Sequence, residues 1–316
     1  MATKYKIAVL GYGSQGRAWA LNLRDSRCDI VIGLRTELKS RRLAARDGFK
    51  NIHTIPEAVR TADIIIFAIP DHRHGAVYMK NIKPYLRPGA TLVFLHGFSI
   101  HFKTIAPPKN CGLILLAPLA PGEAVREKFL KKESVGYFYA IGQNGSRPAK
   151  KALDYLIRKM RIGKKGLVKT TFADEAIGDI FGEQAVLCGG LSQLILAGYD
   201  TLRDAGLSSD KAYLEVGYQL DLIIDLIKKY GIKGMLDRIS FTARYGAIKN
   251  GPRIIDRSVK SRMKKLLSEI KSGRFAAELS FLEKGKRKTS RKVQKRINSS
   301  AFDKSARKFS PLKKRR

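Results

Sequence analysis

Tyr5-Lys-Ile-Ala-Val-Leu10 runs directly into Gly11-Tyr-Gly-Ser-Gln-Gly16 and then Arg17-Ala-Trp-Ala-Leu-Asn-Leu-Arg24. The first run reads as a buried strand and the last has helical periodicity. Between them lies G-x-G-x-x-G, a weak motif alone and a credible one between a strand and a helix. Gly11 allows the tight turn, Gly13 lets backbone approach a pyrophosphate, and Gly16 permits close helix–strand packing. The helix N-terminus adds N–H donors and a positive dipole for phosphates. The predicted ligand is a dinucleotide, held by Gly11, Tyr12, Gly13, Ser14, Gln15 and Gly16. The alternative is a glycine-rich turn that holds nothing.

Working outward, further apolar runs read as strands at 29–33, 62–69, 91–95, 112–117 and 134–141, with helical segments between them. Near-continuous apolar strands alternating with helices predict an α/β fold, a doubly wound parallel sheet covered on both faces. After the second strand comes Leu34-Arg-Thr-Glu-Leu-Lys-Ser-Arg-Arg42. An NAD-binding chain usually shows an acid here for the ribose 2′-hydroxyl. Arg35, Lys39, Ser40, Arg41 and Arg42 instead suit a 2′-phosphate, so NADPH is favoured. A solvated basic loop is the other reading.

The pattern changes near Thr170. Long helical patterns at 174–205, 209–230 and 255–271 predict a second, all-α domain. The expected boundaries are 1–171, 172–283 and a basic tail, 284–316. Asp179 and Glu183 are i and i+4 on one helix face. Among apolar neighbours they need a partner, and a hard cation such as Mg²⁺ would provide one. A solvent-facing acidic pair explains the same spacing. Glu215 and Gln219 repeat it in what otherwise reads as an ordinary amphipathic helix.

The chain has 316 residues, 44% hydrophobic, long enough for about two domains. No continuous apolar run approaches the roughly 20 residues of a membrane span, and the N-terminus has no signal-peptide pattern. Cys28, Cys111 and Cys188 form no C-x-x-C pair. Reduced thiols in the cytoplasm, with no zinc ribbon and no membrane, are the expectation. Lys and Arg number 62 against 27 acids, for +35. Residues 284–316 hold fifteen Lys/Arg and only Asp303 as an acid. Such a tail could bind nucleic acid nonspecifically. A solvated extension is favoured, because only Phe302 and Phe309 could stack on bases.

Together these segments resemble the ketol-acid reductoisomerase family, in its short form. The resemblance rests on Gly11–Gly16, Gly33-Leu-Arg35, His96-Gly-Phe-Ser-Ile-His-Phe102, Thr170-Thr-Phe172 and, most specifically, Asp179-Ile-Phe-Gly-Glu-Gln-Ala-Val-Leu-Cys-Gly-Gly190. Ala212-Tyr213, Thr242-Ala243, Tyr245-Gly246 and Gly251-Pro-Arg253 continue it in register, so that it covers roughly residues 5–283. It implies a Rossmann domain followed by a helical domain, working as a homodimer or an oligomer of dimers. It implies an NADPH- and Mg²⁺-dependent oxidoreductase of branched-chain amino-acid synthesis, acting on a small acetohydroxy or 2-keto acid. An alkyl shift comes first, then reduction. The residue matching Asp179 bridges two metals and the one matching Glu183 binds one of them. Glu215 and Ser240 match residues contributed by the partner subunit. His96 and Cys188 match residues lining the active site, and Gln219 falls beside the substrate.

Two departures fall on the chemistry. The family's active-site lysine is Leu119 here, and its second glutamate is Gln219. Leucine cannot donate a hydrogen bond, and glutamine cannot accept and hold a proton. The full reaction, reduction alone, and a non-catalytic scaffold with a polyanion-binding surface are the readings these departures leave. Ser99, where asparagine is usual, Arg17 in the glycine helix and Phe241 after Ser240 are smaller departures.

Overall fold

The computed structural model describes residues 5–36, 38–145, 149–283 and 301–310. Expectations for Glu37 and for the rest of the tail lie outside the described residues. The chain forms two compact units, residues 1–178 and 179–316.

The first unit is a sheet wrapped by helices. Its elements are β1 (Lys6–Leu10), α1 (Ser14–Asp25), β2 (Asp29–Leu34), α2 (Leu38–Arg46), β3 (Ile52–Thr54), α3 (Ile55–Thr61) and β4 (Ile64–Phe67). They continue with α4 (His74–Val77), β5 (Thr91–Phe94), α5 (Phe98–His101), β6 (Gly112–Pro118), α6 (Gly122–Leu130), β7 (Tyr137–Gln143), α7 (Ala149–Lys159), β8 (Leu167–Lys169) and the start of α8 (Phe172–Gly182). The strand order is β3-β2-β1-β4-β5-β6-β7-β8. All pairings are parallel except β6 with β7, which is antiparallel and irregular at Leu113/Ile114. The expected sheet is therefore present, with two strands, β7 and β8, running against the rest, and two short strands, β3 and β8, that three residues of sequence could not announce.

Strand periodicity explains the continuous apolar runs. Ile7 and Val9 enter a core with Trp19, Leu23, Ile66 and Leu156. Ala8 and Leu10 face the opposite core, with Val59, Ile65, Phe67 and Phe94. Alternate residues serve two covered faces, so neither face can be polar. Strand order reverses at β1, which lies between β2 and β4. The crevice beyond the carboxyl ends of these strands is where such sheets hold ligands.

The second unit is helical among its described residues: α9 (Gly189–Asp204), α10 (Ser209–Tyr213), α11 (Leu220–Leu236), α12 (Phe241–Ile254), α13 (Arg257–Lys271), α14 (Arg274–Glu283) and a C-terminal helix, Ala301–Phe309. Two helices read as continuous are opened by π turns at Glu183–Leu187 and Leu214–Tyr218. The glycines after the first turn explain it. A Cβ on Gly189 would meet the Gln184 carbonyl oxygen at 2.2 Å, and one on Gly190 the Ala185 oxygen at 2.0 Å. α12 was not anticipated, since Gly246, Gly251 and Pro252 weaken its helical signal.

The helical run Phe172–Asp204 is long and apolar enough to cross a membrane by length and composition. Isolated polar residues interrupt every apolar stretch, so no continuous run exists although the whole helix qualifies. Leu187, Leu222, Ile232, Phe241, Ile248 and Ile254 are all more than 60% exposed, a large apolar surface on this unit.

Candidate active site

The glycine loop forms the floor of the crevice. Gly11 has φ +99°, and a Cβ there would stand 2.6 Å from the Ala68 carbonyl oxygen. A Cβ on Gly16 would stand 2.3 Å from the Gly11 oxygen, so these two glycines serve the turn itself. Gly13 has nothing within 4 Å, which leaves its backbone open to a ligand. Above the loop lies a cavity of about 480 Å³, lined among others by Gly11, Gly13, Arg35, Ser40, Asp71 and His96. Tyr12, Ser14 and Gln15 also line it.

Side-chain partners divide these residues by role. The Tyr12 hydroxyl donates to Asp47 Oδ2 at 2.8 Å. Arg17 meets both oxygens of Asp47, at 2.7 and 2.9 Å. Asp47 thus ties the loop to the chain just beyond α2. Arg17's hydrogen bond holds the Asp47 carboxyl below its ordinary range, against the upward pull of burial. That is a structural reason for the unusual Arg17. Gln15 spends its amide N–H on the Ala120 carbonyl, 2.8 Å away. One amide N–H and the backbone N–H remain for a phosphate.

At the far end of β2, Arg35 and Ser40 line the cavity. Lys39 and Arg42 are exposed. Arg41 donates to the Arg35 carbonyl at 3.1 Å and to the Ile52 carbonyl at 3.5 Å, so it braces the turn. The five basic-loop candidates therefore separate into two that face the cavity and three that do not line it.

His96, at the end of β5, lies within a polar cluster that the sequence reading did not assemble. Its Nδ1 is 3.3 Å from Asp71 Oδ2. Its Nε2 is 4.0 Å from Glu175 Oε2. Glu175, 5% exposed on α8, accepts from the Gly97 backbone N–H. The Asp71 carboxylate also approaches His74 Nδ1, at 3.7 Å. Burial alone would raise the Asp71 carboxyl, but the His96 hydrogen bond and the two histidine charges hold it below its ordinary value. Burial pushes His74 down, with Asp71 opposing. Buried His74 bonds Ser99 Oγ and the Ile69 carbonyl, both at 2.8 Å. The serine at position 99 is thereby matched to a histidine.

The segment after β6 abuts the glycine loop. A Cβ on Gly122 would stand 2.2 Å from the Ser14 carbonyl oxygen. Leu119 is half exposed, donates its N–H to the Gly136 carbonyl, and packs its side chain toward Gly136.

In the second unit, Asp179, Glu183 and Cys188 are exposed. Glu183 opens the first π turn and Glu215 lies in the second. Of the two readings of the acidic pair, the solvent-facing one matches its exposure, because its helix face is uncovered. Glu215 and Gln219 are exposed too, and Gln219 donates to the Leu214 carbonyl at 3.3 Å. Ser240 caps α12, accepting from the Ala243 N–H at 3.2 Å. Among the described residues no three His, Cys, Asp or Glu side chains gather to hold a metal. Asp179, Glu183 and Glu215 each carry carboxylate oxygens, the donor type that suits Mg²⁺.

Residues 1–163 match the sequence model of the acetohydroxy acid isomeroreductase NADPH-binding domain. Residues 172–312 match that of the ketol-acid reductoisomerase C-terminal domain. The chain belongs to the ketol-acid reductoisomerase family. It is 46% identical over 271 residues to the NADP(+) ketol-acid reductoisomerase of Sulfolobus acidocaldarius, covering 86% of this chain and 81% of that one. The Pyrobaculum aerophilum enzyme of the same name is 46% identical over 272 residues, 86% of this chain and 83% of that one. A solved NADH-preferring ketol-acid reductoisomerase from an uncultured archean superposes with TM-score 0.93 at 36% identity, over 98% of this chain and 94% of that one.

The fold class and the family drawn from the sequence thus stand. This ketol-acid reductoisomerase-type chain is an NADP-dependent oxidoreductase by kind. The sequence reading missed Asp71, His74 and Glu175 as neighbours of His96. One signal was available: Asp71 follows Pro70 just beyond β4, beside the crevice where the strand order reverses.

Proposed function

We propose that the chain is an NADPH-dependent, Mg²⁺-assisted enzyme of ketol-acid reductoisomerase type that keeps the reducing half of the reaction and is slow in the alkyl shift. Its substrate is a small 2-keto or acetohydroxy acid of branched-chain amino-acid synthesis. The carrying observation is the open Gly13 cradle, with Arg35 and Ser40 at one end of the cavity and His96 also on its wall.

NADPH supplies a hydride when bound, and Mg²⁺ polarises the substrate carbonyl. Gly11, Gly13 and Gly16 hold the pyrophosphate against the start of α1. Arg35 and Ser40 take the 2′-phosphate. His96, oriented by Asp71, exchanges a proton with the substrate oxygen. Asp179 and Glu183 hold metal, with Glu215 and Ser240 supplied by a partner subunit. Cys188 and Gln219 border the substrate.

Reduction needs a polarised carbonyl and a placed hydride. The alkyl shift also needs a base for the substrate hydroxyl. Leu119 offers no donor and Gln219 no base. Loss of one such electrostatic contact typically costs about 10²–10³ in rate. The selective loss therefore falls on the first half.

The exposed apolar surface of the second unit supports a homodimer, since exposed patches of this kind mark interfaces. A second copy is favoured over lipid because the same helices carry Asp179, Glu183 and Glu215. The NADP-binding domain is 1–171, the helical domain 172–283 and the tail 284–316, in a cytoplasmic protein. The polyanion reading loses its aromatic partners: Phe302 packs on Tyr199 and Tyr213, and Phe309 stacks on Tyr213.

The test is the double reversion Leu119→Lys with Gln219→Glu. Turnover of 2-acetolactate should rise about 100-fold or more, with reduction of the isomerised keto acid little changed. An unchanged rate on 2-acetolactate in a folded, NADPH-binding protein would contradict the assignment of those two positions.

A further inference from the structure

We propose that the C-terminal helix Ala301–Phe309 is a clamp that fixes the π turn presenting Glu215, with Phe302 as its positioning residue. The inference rests on Glu215 being a metal carboxylate, as proposed above, and adds what holds that carboxylate in place.

The contacts join segments about ninety residues apart. The Phe302 ring meets Tyr199 edge-on at 5.4 Å between centroids and Tyr213 at 5.2 Å. Phe309 stacks on Tyr213 at 6.0 Å. Buried Ser305 donates to Asp210 Oδ1 at 2.8 Å, and Lys308 pairs with the same carboxylate. Tyr213 ends α10, and the π turn Leu214–Tyr218 begins at the next residue.

Gly217, inside that turn, shows how closely the clamp fits. A Cβ there would stand 3.0 Å from Phe302 Cζ and 3.0 Å from Tyr213 Cε2. The glycine leaves the space in which the two rings meet. A π turn is a local irregularity found mostly at functional sites, and it persists only where surroundings hold it. Here the described surroundings include Phe302 and Tyr213. The ion pair with Lys308 is exposed and contributes little, so the aromatic contacts carry the clamp.

Groups that orient metal ligands typically change affinity by about 10–100-fold when removed. The experiment uses the full chain and four proteins: wild type, Phe302→Ala, Phe302→Leu and Glu215→Gln. Mn²⁺ binding is followed by electron paramagnetic resonance, and amide hydrogen exchange is read across 179–219. Phe302→Ala should weaken Mn²⁺ binding about tenfold and speed exchange at 214–219 by a similar factor, leaving 179–188 unchanged. Phe302→Leu should retain most of both, which also answers a variant that folds poorly. Glu215→Gln should weaken Mn²⁺ with wild-type exchange. Wild-type Mn²⁺ affinity in Phe302→Ala, with Glu215→Gln impaired, overturns the clamp. Wild-type affinity in Glu215→Gln shows instead that the metal reading of Glu215 has failed, and the clamp's purpose with it.

Discussion

Asp71 Oδ2 and His96 Nδ1 stand 3.3 Å apart although they leave different strands, β4 and β5. The parallel register of those strands, Phe67 opposite Phe94, carries both residues to the same end of the sheet. A carboxylate on one ring nitrogen fixes the orientation and tautomer of a histidine. Asp71 engages Nδ1, and Nε2 faces Glu175 Oε2 at 4.0 Å.

Asp71→Asn keeps the shape and removes the charge. We expect it to lower kcat for keto-acid reduction roughly tenfold or more, with a smaller change in the NADPH KM. The acidic limb of the pH–rate profile should move as well. A variant with wild-type kcat and pH profile would show that Asp71 does not serve His96.

His74 gives the fold a pH dependence whose sign follows from its burial. Its folded value lies below its unfolded value of about 6.5. The stability it contributes is therefore complete above about pH 6.5 and is lost as pH falls through the lower folded value. One such group gives a slope of up to about 1.4 kcal/mol per pH unit in that window. Urea unfolding of wild type and His74→Gln between pH 7 and pH 5 measures it. The wild-type curve should fall more steeply, and parallel curves would refute the assignment.

The glycine loop separates folding from binding. Gly13→Ala meets no protein atom, so its melting temperature should stay near that of wild type while NADPH affinity drops about tenfold or more. Gly16→Ala drives a Cβ against the Gly11 carbonyl and should lose stability, by about 1–3 kcal/mol, as well as affinity. Calorimetric melting and fluorescence titration with NADPH check both. Equal melting of the two variants would contradict the packing argument.

What the sequence disclosed, and what it did not, follows from how local each feature is. The Gly11–Gly16 loop is legible because its turn, phosphate approach and packing are set by neighbours in the chain. The two-face core is legible for the same reason. The cluster around His96 is not, because the segments after β4 and β5 and helix α8 bring in its members from 22 to 79 residues away. The π turns escape because they depend on Gly189, Gly190 and Gly217 meeting carbonyls or rings, and an isolated helical glycine announces no such contact. Residue type alone also could not tell Arg41, which braces a turn, from Arg35, which faces the cavity.

That distinction predicts cofactor preference. Arg35→Ala should reduce kcat/KM with NADPH about tenfold and change that with NADH much less, since only the 2′-phosphate contact is removed. Arg41→Ala should affect both cofactors alike, through the turn it braces. Steady-state kinetics with the two cofactors decide it, and equal losses for NADPH and NADH in Arg35→Ala would remove Arg35 from the phosphate site.

The central claim is that reduction survives while the alkyl shift is slowed. It is tested most directly by following NADPH oxidation with Mg²⁺ on 2-acetolactate and, in parallel, on 3-hydroxy-3-methyl-2-oxobutanoate, its isomerised product. The account predicts Mg²⁺-dependent turnover of the isomerised keto acid, at least about 100-fold faster than that of 2-acetolactate. Equal rates on the two would show that Leu119 and Gln219 leave the alkyl shift intact, and silence on both with NADPH bound would contradict the enzyme assignment itself.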